Sequence, residues 1–276
     1  MQNTKLNDVT QTNYNLTPIS MSIVFYNNDI SSVNKIVNNL VEVTSTFINK
    51  KIFLINNSPQ NIELNSYLDL LSRSNESLVR ITPKENKGFG AGHNSVLQYL
   101  SSDYHFVVNP DIYIQDANVF TTIVDYLEKN LDYGLLSPLI KYPNGETQHL
   151  LKKESTVFDM ALRFVGLPIF EKRQESFISL PDGYNHTHDA ENVPGSFMVF
   201  RTTVFKKVNG FDESYFLYME DSDVTKAVNQ VSKTVFLQNT VVYHEWQREN
   251  RKSVRGILTM LHSMGIYFNK WGWKLW

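Results

Sequence analysis

Three carboxylates fall within four positions, Glu220, Asp221 and Asp223, in the stretch YMEDSD. Acids crowded in this way cap a helix, hold a metal or move a proton. A helix starting at 220 would put Glu220 and Asp223 on one face and turn Asp221 elsewhere. Acids favour the first helical turn through its dipole, so capping is one reading. Tyr215, Phe216 and Tyr218 precede the cluster. A carboxyl set among aromatic rings can have a raised pKa and serve as a base, which is the other reading.

A fourth acid stands alone. In VVNPDIYI (107–114) an apolar run stops at Asn109-Pro110-Asp111. Proline cannot continue a ladder, so Asp111 is left at the lip of a sheet. There it either shapes a turn or holds Mg2+ or Mn2+, which in turn grips a diphosphate. His244 ends the run VVYH and is either a structural histidine or a metal ligand. The stretch ENKGFGAGHN (85–94) carries Gly88, Gly90 and Gly92. Such glycines either let backbone approach a phosphate ahead of a helix N-terminus or simply turn a loop into a helix. A dinucleotide fingerprint would need them after the first strand. They follow the third, which argues against a nicotinamide-dependent oxidoreductase.

The elements that would position these residues alternate. ISMSIVFY (19–26), KIFLI (51–55), LVRI (78–81) and YHFVVN (104–109) read as strands, separated by helical patterns at 30–48, 61–71 and 89–101, with another at 116–130. Strands separated by helices imply parallel pairing with right-handed crossovers. Ligands then bind beyond the strands' carboxyl ends, so Asn27, Asn56, residues 84–86 and residues 109–111 should meet in one crevice. The second half is less regular. YPNGE (142–146) is a turn between strands, a helix is expected at 155–165, and GSFMVFR (195–201) reads as a strand. Residues 220–230 read as a helix, KTVFL and TVVYH as two short strands, and residues 252–270 as a helix striped by Val254, Leu258, Leu261, Met264 and Phe268.

Composition bounds the function. The 276 residues carry a net charge of -2, so no basic field points to nucleic acid. The absence of cysteine excludes disulfides and thiolate metal sites. The polar start, MQNTKLNDVTQTNYNLTPIS, lacks the apolar region of a signal peptide and reads as a flexible lead-in over 1–18. No window approaches the roughly 20 apolar residues of a membrane span. A cytoplasmic protein is expected, with any membrane contact peripheral, at the inner face of the plasma membrane. All four tryptophans lie from Trp246 onward, and from Asn250 there are five Lys/Arg and no acid. YFNKWGWKLW suits a membrane–water interface with anionic lipid, or a helix docked with its aromatics in the core or against a second copy.

Taken in order, SIVFYNN, LINNSP, ENKGFGAGHN, VVNPDIYI, GSFMVFRTTVFKKVNGFDESYFLYMEDSD, VVYH and YFNKWGW resemble glycosyltransferase family 2, most closely the bacterial rhamnosyltransferase-like enzymes that build O-antigen and capsule polysaccharides. The resemblance spans about residues 20 to 273. It implies an α/β GT-A fold, with a mixed central sheet flanked by helices and a C-terminal helical extension. The catalytic domain would be 19–250, divided into a nucleotide-sugar half (19–115) and an acceptor and catalytic half (116–250), with a basic aromatic helix at 251–276. It implies inverting transfer from a nucleotide-diphosphate sugar, dTDP-rhamnose in first place, to a saccharide acceptor carried on a lipid. A UDP-sugar of galactose or glucose is the alternative donor, and a non-catalytic sugar- or partner-binding module is the more distant reading.

By the same resemblance, Tyr26, Asn27 and Asn56 match positions holding the nucleoside, and Lys87, Gly88, Phe89, Gly90 and Asn94 match the segment lining the donor pocket. Asp111 matches the last acid of the DxD metal motif, His244 a position completing metal binding, and Asp221 the catalytic base, with Glu220 beside it. Gly195, Ser196, Phe197, Arg201 and the 182–192 loop match the acceptor side. Two departures stand out. Asn109 replaces the first DxD acid, leaving fewer charged ligands, and Asn56 stands where a base-contacting Asp is usual.

Overall fold

The computed structural model describes residues 16–165, 170–245 and 253–276. Residues 1–15 of the expected lead-in, the 250/251 boundary and Trp246 lie outside the described residues. Ile19–Phe25 (β1) is buried along its whole length, as a continuous apolar run in a parallel sheet requires. Asp29 then caps Ile30–Val43 (α1), its carboxylate accepting the Ser32 N–H. Lys50–Asn56 (β2) follows, then Ile62–Ser74 (α2), capped by Asn61, and Leu78–Ile81 (β3). The helix expected over 89–101 is shorter. Phe89–Asn94 (α3) ends after six residues and a 3-10 turn occupies Leu97–Tyr99 before Tyr104–Val108 (β4).

β3, β2, β1 and β4 pair in parallel, in that order. Beyond β4 the sheet changes direction. Ile112–Tyr113 (β5), Asn118–Lys129 (α4) and Tyr133–Lys141 (β6) are followed by two helices, Val157–Val165 (α5) and Glu171–Phe177 (α6). His188–Asp189 (β7), Phe197–Arg201 (β8), Thr202–Lys207 (α7), Glu220–Asn229 (α8), Lys233–His244 (β9) and Val254–Trp271 (α9) complete the chain. β8 runs antiparallel to both β4 and β6, while β6 and β9 are parallel. The sheet is therefore mixed and holds nine strands among the described residues. The two short strands expected in KTVFL and TVVYH are one strand. Its pairing with β6 slips between Pro138 and Leu139, where Leu237 and Val241 are successive partners, so Gln238–Thr240 bulge without ending the ladder.

Strand alternation builds two cores. Met21, Ile23 and Phe25 face α1 and α4, with Val33, Ile36, Phe120 and Ile123. Val24, Phe53, Val107 and Phe200 face Phe205 of α7, Phe211, and Val224 and Val228 of α8. A third cluster joins Tyr215 and Met219 to Tyr267 and Phe268 of α9. The C-terminal helix is thus docked on the segment that leads into the acidic cluster. Of the stripe expected on it, Phe268 is buried, whereas Val254, Leu258 and Leu261 are exposed.

Candidate active site

The strand ends bring the acids together. Asn109, just past β4, donates its backbone N–H to Ser196 O at 3.0 Å, which fixes the start of β8 beside it. At Gly195 a Cβ would stand only 3.3 Å from Asp221 Cβ, so the missing side chain lets α8 close on the sheet. β5 pairs antiparallel with β9, with Ile112 opposite His244. That pairing sets Asp111 Oδ1 3.2 Å from His244 Nε2. The result is one cleft of about 360 Å3, lined by Phe89, Asn109, Asp111, Lys152, Gly195, Ser196, Glu220, Asp221 and His244, with Met160, Arg163 and Met260 at its sides.

A left-handed turn presents the acids. Tyr218 (φ 73) and Met219 (φ 67) both adopt a conformation that non-glycine residues rarely take, at about 1–2 kcal/mol each. Met219 precedes α8 without offering a side-chain cap. Glu220 is buried, and burial first, then the Asp221 charge, raises its carboxyl pKa to about 8. Asp221 differs. Its Oδ1 accepts the Ser222 N–H at 2.8 Å, and its Oδ2 lies 3.9 Å from Lys152 Nζ. The adjacent acids are therefore unlike: one carboxyl that burial keeps protonated near neutral pH, and one carboxylate at the cleft wall beside an ammonium.

The Asp111–His244 pair in the same cleft fits a divalent cation. Gln148 Nε2 donates to His244 O at 2.8 Å. That orients the amide so that Gln148 Oε1 accepts from His244 Nδ1 at 3.1 Å. Nε2 then faces an Asp111 oxygen, joined to it either by its own proton or by a cation between the two. Asn109 Oδ1, Asp111 Oδ1, Ser196 Oγ and Glu220 Oε2 are buried at this cleft and meet no hydrogen-bond partner in the protein. Among the described residues no group of three or more His, Cys, Asp or Glu could hold a metal unaided. Two protein ligands plus phosphate oxygens is the arrangement Mg2+ commonly takes.

A second cleft of about 350 Å3 lies past β1 and β2, lined by Tyr26, Asn57, Asn86, Gly88, Phe89, Arg255 and Thr259. It shares Phe89, Leu217 and Tyr218 with the first. Lys87 lines a separate hollow with Asn57, Lys84 and Glu213. Asn27, Asn56, Gly90 and Asn94 line neither cleft. Asn27, in left-handed conformation, donates its backbone N–H to Ser58 Oγ. Asn56 is fully buried and satisfied internally, donating to Asn65 Oδ1 and accepting the Ser58 N–H. Its neighbour Asn57 borders the cleft instead. Gly90 lies under Phe211, where a Cβ would come within 2.7 Å. Asn94 bonds both the N–H and the carbonyl of Phe211, tying α3 to the loop before the acids. Gly88 brings the same two segments together, and Phe89 N donates to Phe216 O at 3.1 Å.

On the acceptor side, Gly195 and Ser196 border the first cleft, but Phe197 and Arg201 do not. Phe197 is fully buried against Phe106 and Phe120. Such burial contributes roughly 1.5–3 kcal/mol to the core. Arg201 pairs with Tyr104 at the opposite end of β4, about 16 Å along the strand from Asn109. There its guanidinium donates to Leu127 O and Tyr133 O. Asp223 is not a helix cap either; it is 2% exposed and bonded to α9. Sequence reading missed Gln148, Lys152 and the Tyr218–Met219 turn. Gln148 and His244 are 96 residues apart, and neither residue type nor spacing marks the pair.

No family profile matches the chain. It is 28% identical to rhamnosyltransferase WbbL of Escherichia coli (strain K12), over 50% of this chain and 52% of that protein. It is 25% identical to the N-acetylglucosaminyl-diphospho-decaprenol L-rhamnosyltransferase of Mycobacterium tuberculosis, over 60% of this chain and 58% of that one. The matches thus span little more than half the length of these relatives. Among solved structures, GalNAc-T7 with UDP, GalNAc and Mn2+ aligns with a TM-score of 0.61 at 16% identity, over 85% of this chain and 44% of that one. Mannosyltransferase PcManGT from Pyrobaculum calidifontis, in complex with GDP-Man and Mn2+, aligns with a TM-score of 0.62 at 12% identity, over 98% of this chain and 76% of that one. At these identities the structural likeness bears on the fold. The chain has the GT-A glycosyltransferase fold and is related in sequence to rhamnosyltransferases.

Proposed function

We propose that the protein is an inverting glycosyltransferase that moves L-rhamnose from dTDP-rhamnose to a hydroxyl of a lipid-linked saccharide, in the synthesis of a surface polysaccharide. The observation that carries this reading is one cleft lined both by the Asp111–His244 pair and by the adjacent acids Glu220 and Asp221. The nucleoside of the donor occupies the Tyr26–Asn57–Phe89 cleft, and its diphosphate crosses Phe89 towards Asp111. Asp111 and His244 would hold a divalent cation, which would supply positive charge to offset that of the leaving diphosphate.

Asp221 takes the proton from the acceptor hydroxyl. With Oδ1 held by Ser222, Oδ2 is the oxygen that faces the hydroxyl. The acceptor oxygen bonds to the anomeric carbon as the bond to the diphosphate oxygen breaks on the opposite face, which inverts the configuration. Protonated Glu220 keeps a second negative charge away from Asp221, and its Oε2, which meets no partner in the protein, is available to hydrogen-bond the substrate. Gly195 and Ser196 floor the acceptor side.

The lipid-linked acceptor is supported by the diphospho-decaprenol substrate in the name of one relative. No described helix is long and apolar enough to cross a membrane. The lipid would therefore be met at a surface, and Val254, Leu258 and Leu261 offer exposed apolar side chains for that contact. A UDP-sugar donor is the second reading, favoured by the UDP bound in one structural neighbour. Transfer of labelled sugar from dTDP-rhamnose, UDP-galactose and UDP-glucose to a diphospholipid-linked saccharide, with Mn2+, tests both. Product from dTDP-rhamnose alone supports the first reading. Product from a UDP-sugar alone replaces it with the second, and product from none of the three overturns both.

A further inference from the structure

Asp223 is the third acid of the cluster and takes no part in the cleft, yet it is more deeply buried than Glu220 or Asp221. Its exposure is 2%. An uncompensated charge at such a site would cost several kcal/mol, and its partners show what compensates it. Oδ1 accepts the Trp271 Nε1–H at 2.7 Å and the Tyr215 hydroxyl at 3.2 Å. Oδ2 accepts from Lys270 Nζ at 2.9 Å, and the same ammonium reaches Asp212 at 2.6 Å. Two of its partners come from α9 and one, Tyr215, from the loop before α8, where Asp212 shares the ammonium.

α9 grips the acidic turn from its other end as well. Ser263 Oγ donates to Leu217 O at 2.8 Å, immediately before the left-handed residues Tyr218 and Met219. Tyr267 and Phe268 pack with Tyr215 and Met219. Met260, on the same helix, lines the cleft itself. Leu217 and Asp223 therefore bracket Glu220 and Asp221, and both are bonded to one helix. A strained turn persists only where its surroundings over-determine it, and α9 supplies much of that surround.

We propose that Asp223 is a positioning residue, through which the C-terminal helix sets the turn that aims Asp221 into the cleft. This inference rests on the reading of Asp221 as the base. Trp271→Phe removes one N–H donor and keeps the ring, and Ser263→Ala removes one hydroxyl. Asp223→Asn is the more drastic variant and is made alongside them. With dTDP-rhamnose as donor, Trp271→Phe and Ser263→Ala are expected to lower kcat roughly 10- to 100-fold. KM for the donor should change less than kcat, because neither Trp271 nor Ser263 itself lines the donor cleft.

Hydrogen exchange over residues 217–223 supplies a readout that needs no turnover. It should quicken in both variants, more than exchange within β1 and β4. Unchanged exchange over 217–223 overturns the proposal. So does a kcat that returns to the wild-type value once assays are run well below each variant's melting temperature, since α9 would then act on stability alone. Asp221→Asn separates the two levels. If it retains transfer, the base assignment fails. If it is inactive while Trp271→Phe and Ser263→Ala keep full kcat, only the positioning role fails.

Discussion

His244 Nε2 and Asp111 Oδ1 stand 3.2 Å apart across the ends of β9 and β5. Gln148 holds the imidazole so that Nε2 faces the carboxylate. Second-sphere partners of this kind typically change metal affinity by 10- to 100-fold. Gln148→Leu should therefore weaken Mn2+ binding roughly 10- to 100-fold, read by calorimetry in the presence of dTDP. Unchanged Mn2+ affinity would remove Gln148 from the proposed metal site.

A Cβ on Gly88 would stand 2.0 Å from Phe216 O, at a backbone φ of +104. Both the clash and the conformation oppose any side chain. Gly88→Ala is expected to cost about 2 kcal/mol or more. Gly145, at φ +89 with nothing within 4 Å of its Cβ, isolates the conformational part, and Gly145→Ala should cost only about 1 kcal/mol. Chemical denaturation measures both. Equal losses would mean that the approach of the 85–90 loop to Phe216 is not what Gly88 provides.

Burial and the Asp221 charge raise the Glu220 pKa to about 8. A carboxyl whose folded pKa is raised binds its proton more tightly when folded than when unfolded. Its contribution to stability is whole below the ordinary carboxylate range and is lost as pH rises through the folded value. Wild type should therefore lose melting temperature relative to Glu220→Gln from about pH 4.5 to about pH 8. Parallel curves across that range would contradict the buried, protonated state of Glu220.

The parts of the fold that could be read from sequence were those that local pattern dictates. β1 and β4 are buried on both faces and so read as unbroken apolar runs, and their ends mark where Asn109 and Asp111 stand. β9 was read as two strands because Gln238–Thr240 break the apolar run, whereas its backbone pairing survives the bulge. Arg201 falls on the acceptor side by resemblance alone, as the last residue of GSFMVFR. The direction of β8 carries it to the opposite end of the strands, and direction is a tertiary fact. Asp223 shows the same limit. Its partners Lys270 and Trp271 lie 47 and 48 residues further on, so nothing in YMEDSD distinguishes it from the acids beside it.

The base assignment is the centre of the account, and Asp221→Asn tests it most directly. The substitution keeps the size of the side chain and an oxygen for the Ser222 N–H, and removes the ability to take a proton. In a transfer assay with saturating donor and Mn2+, the account predicts a kcat lowered by at least about 100-fold, with dTDP and Mn2+ binding retained. A variant that transfers sugar at close to the wild-type rate would contradict it.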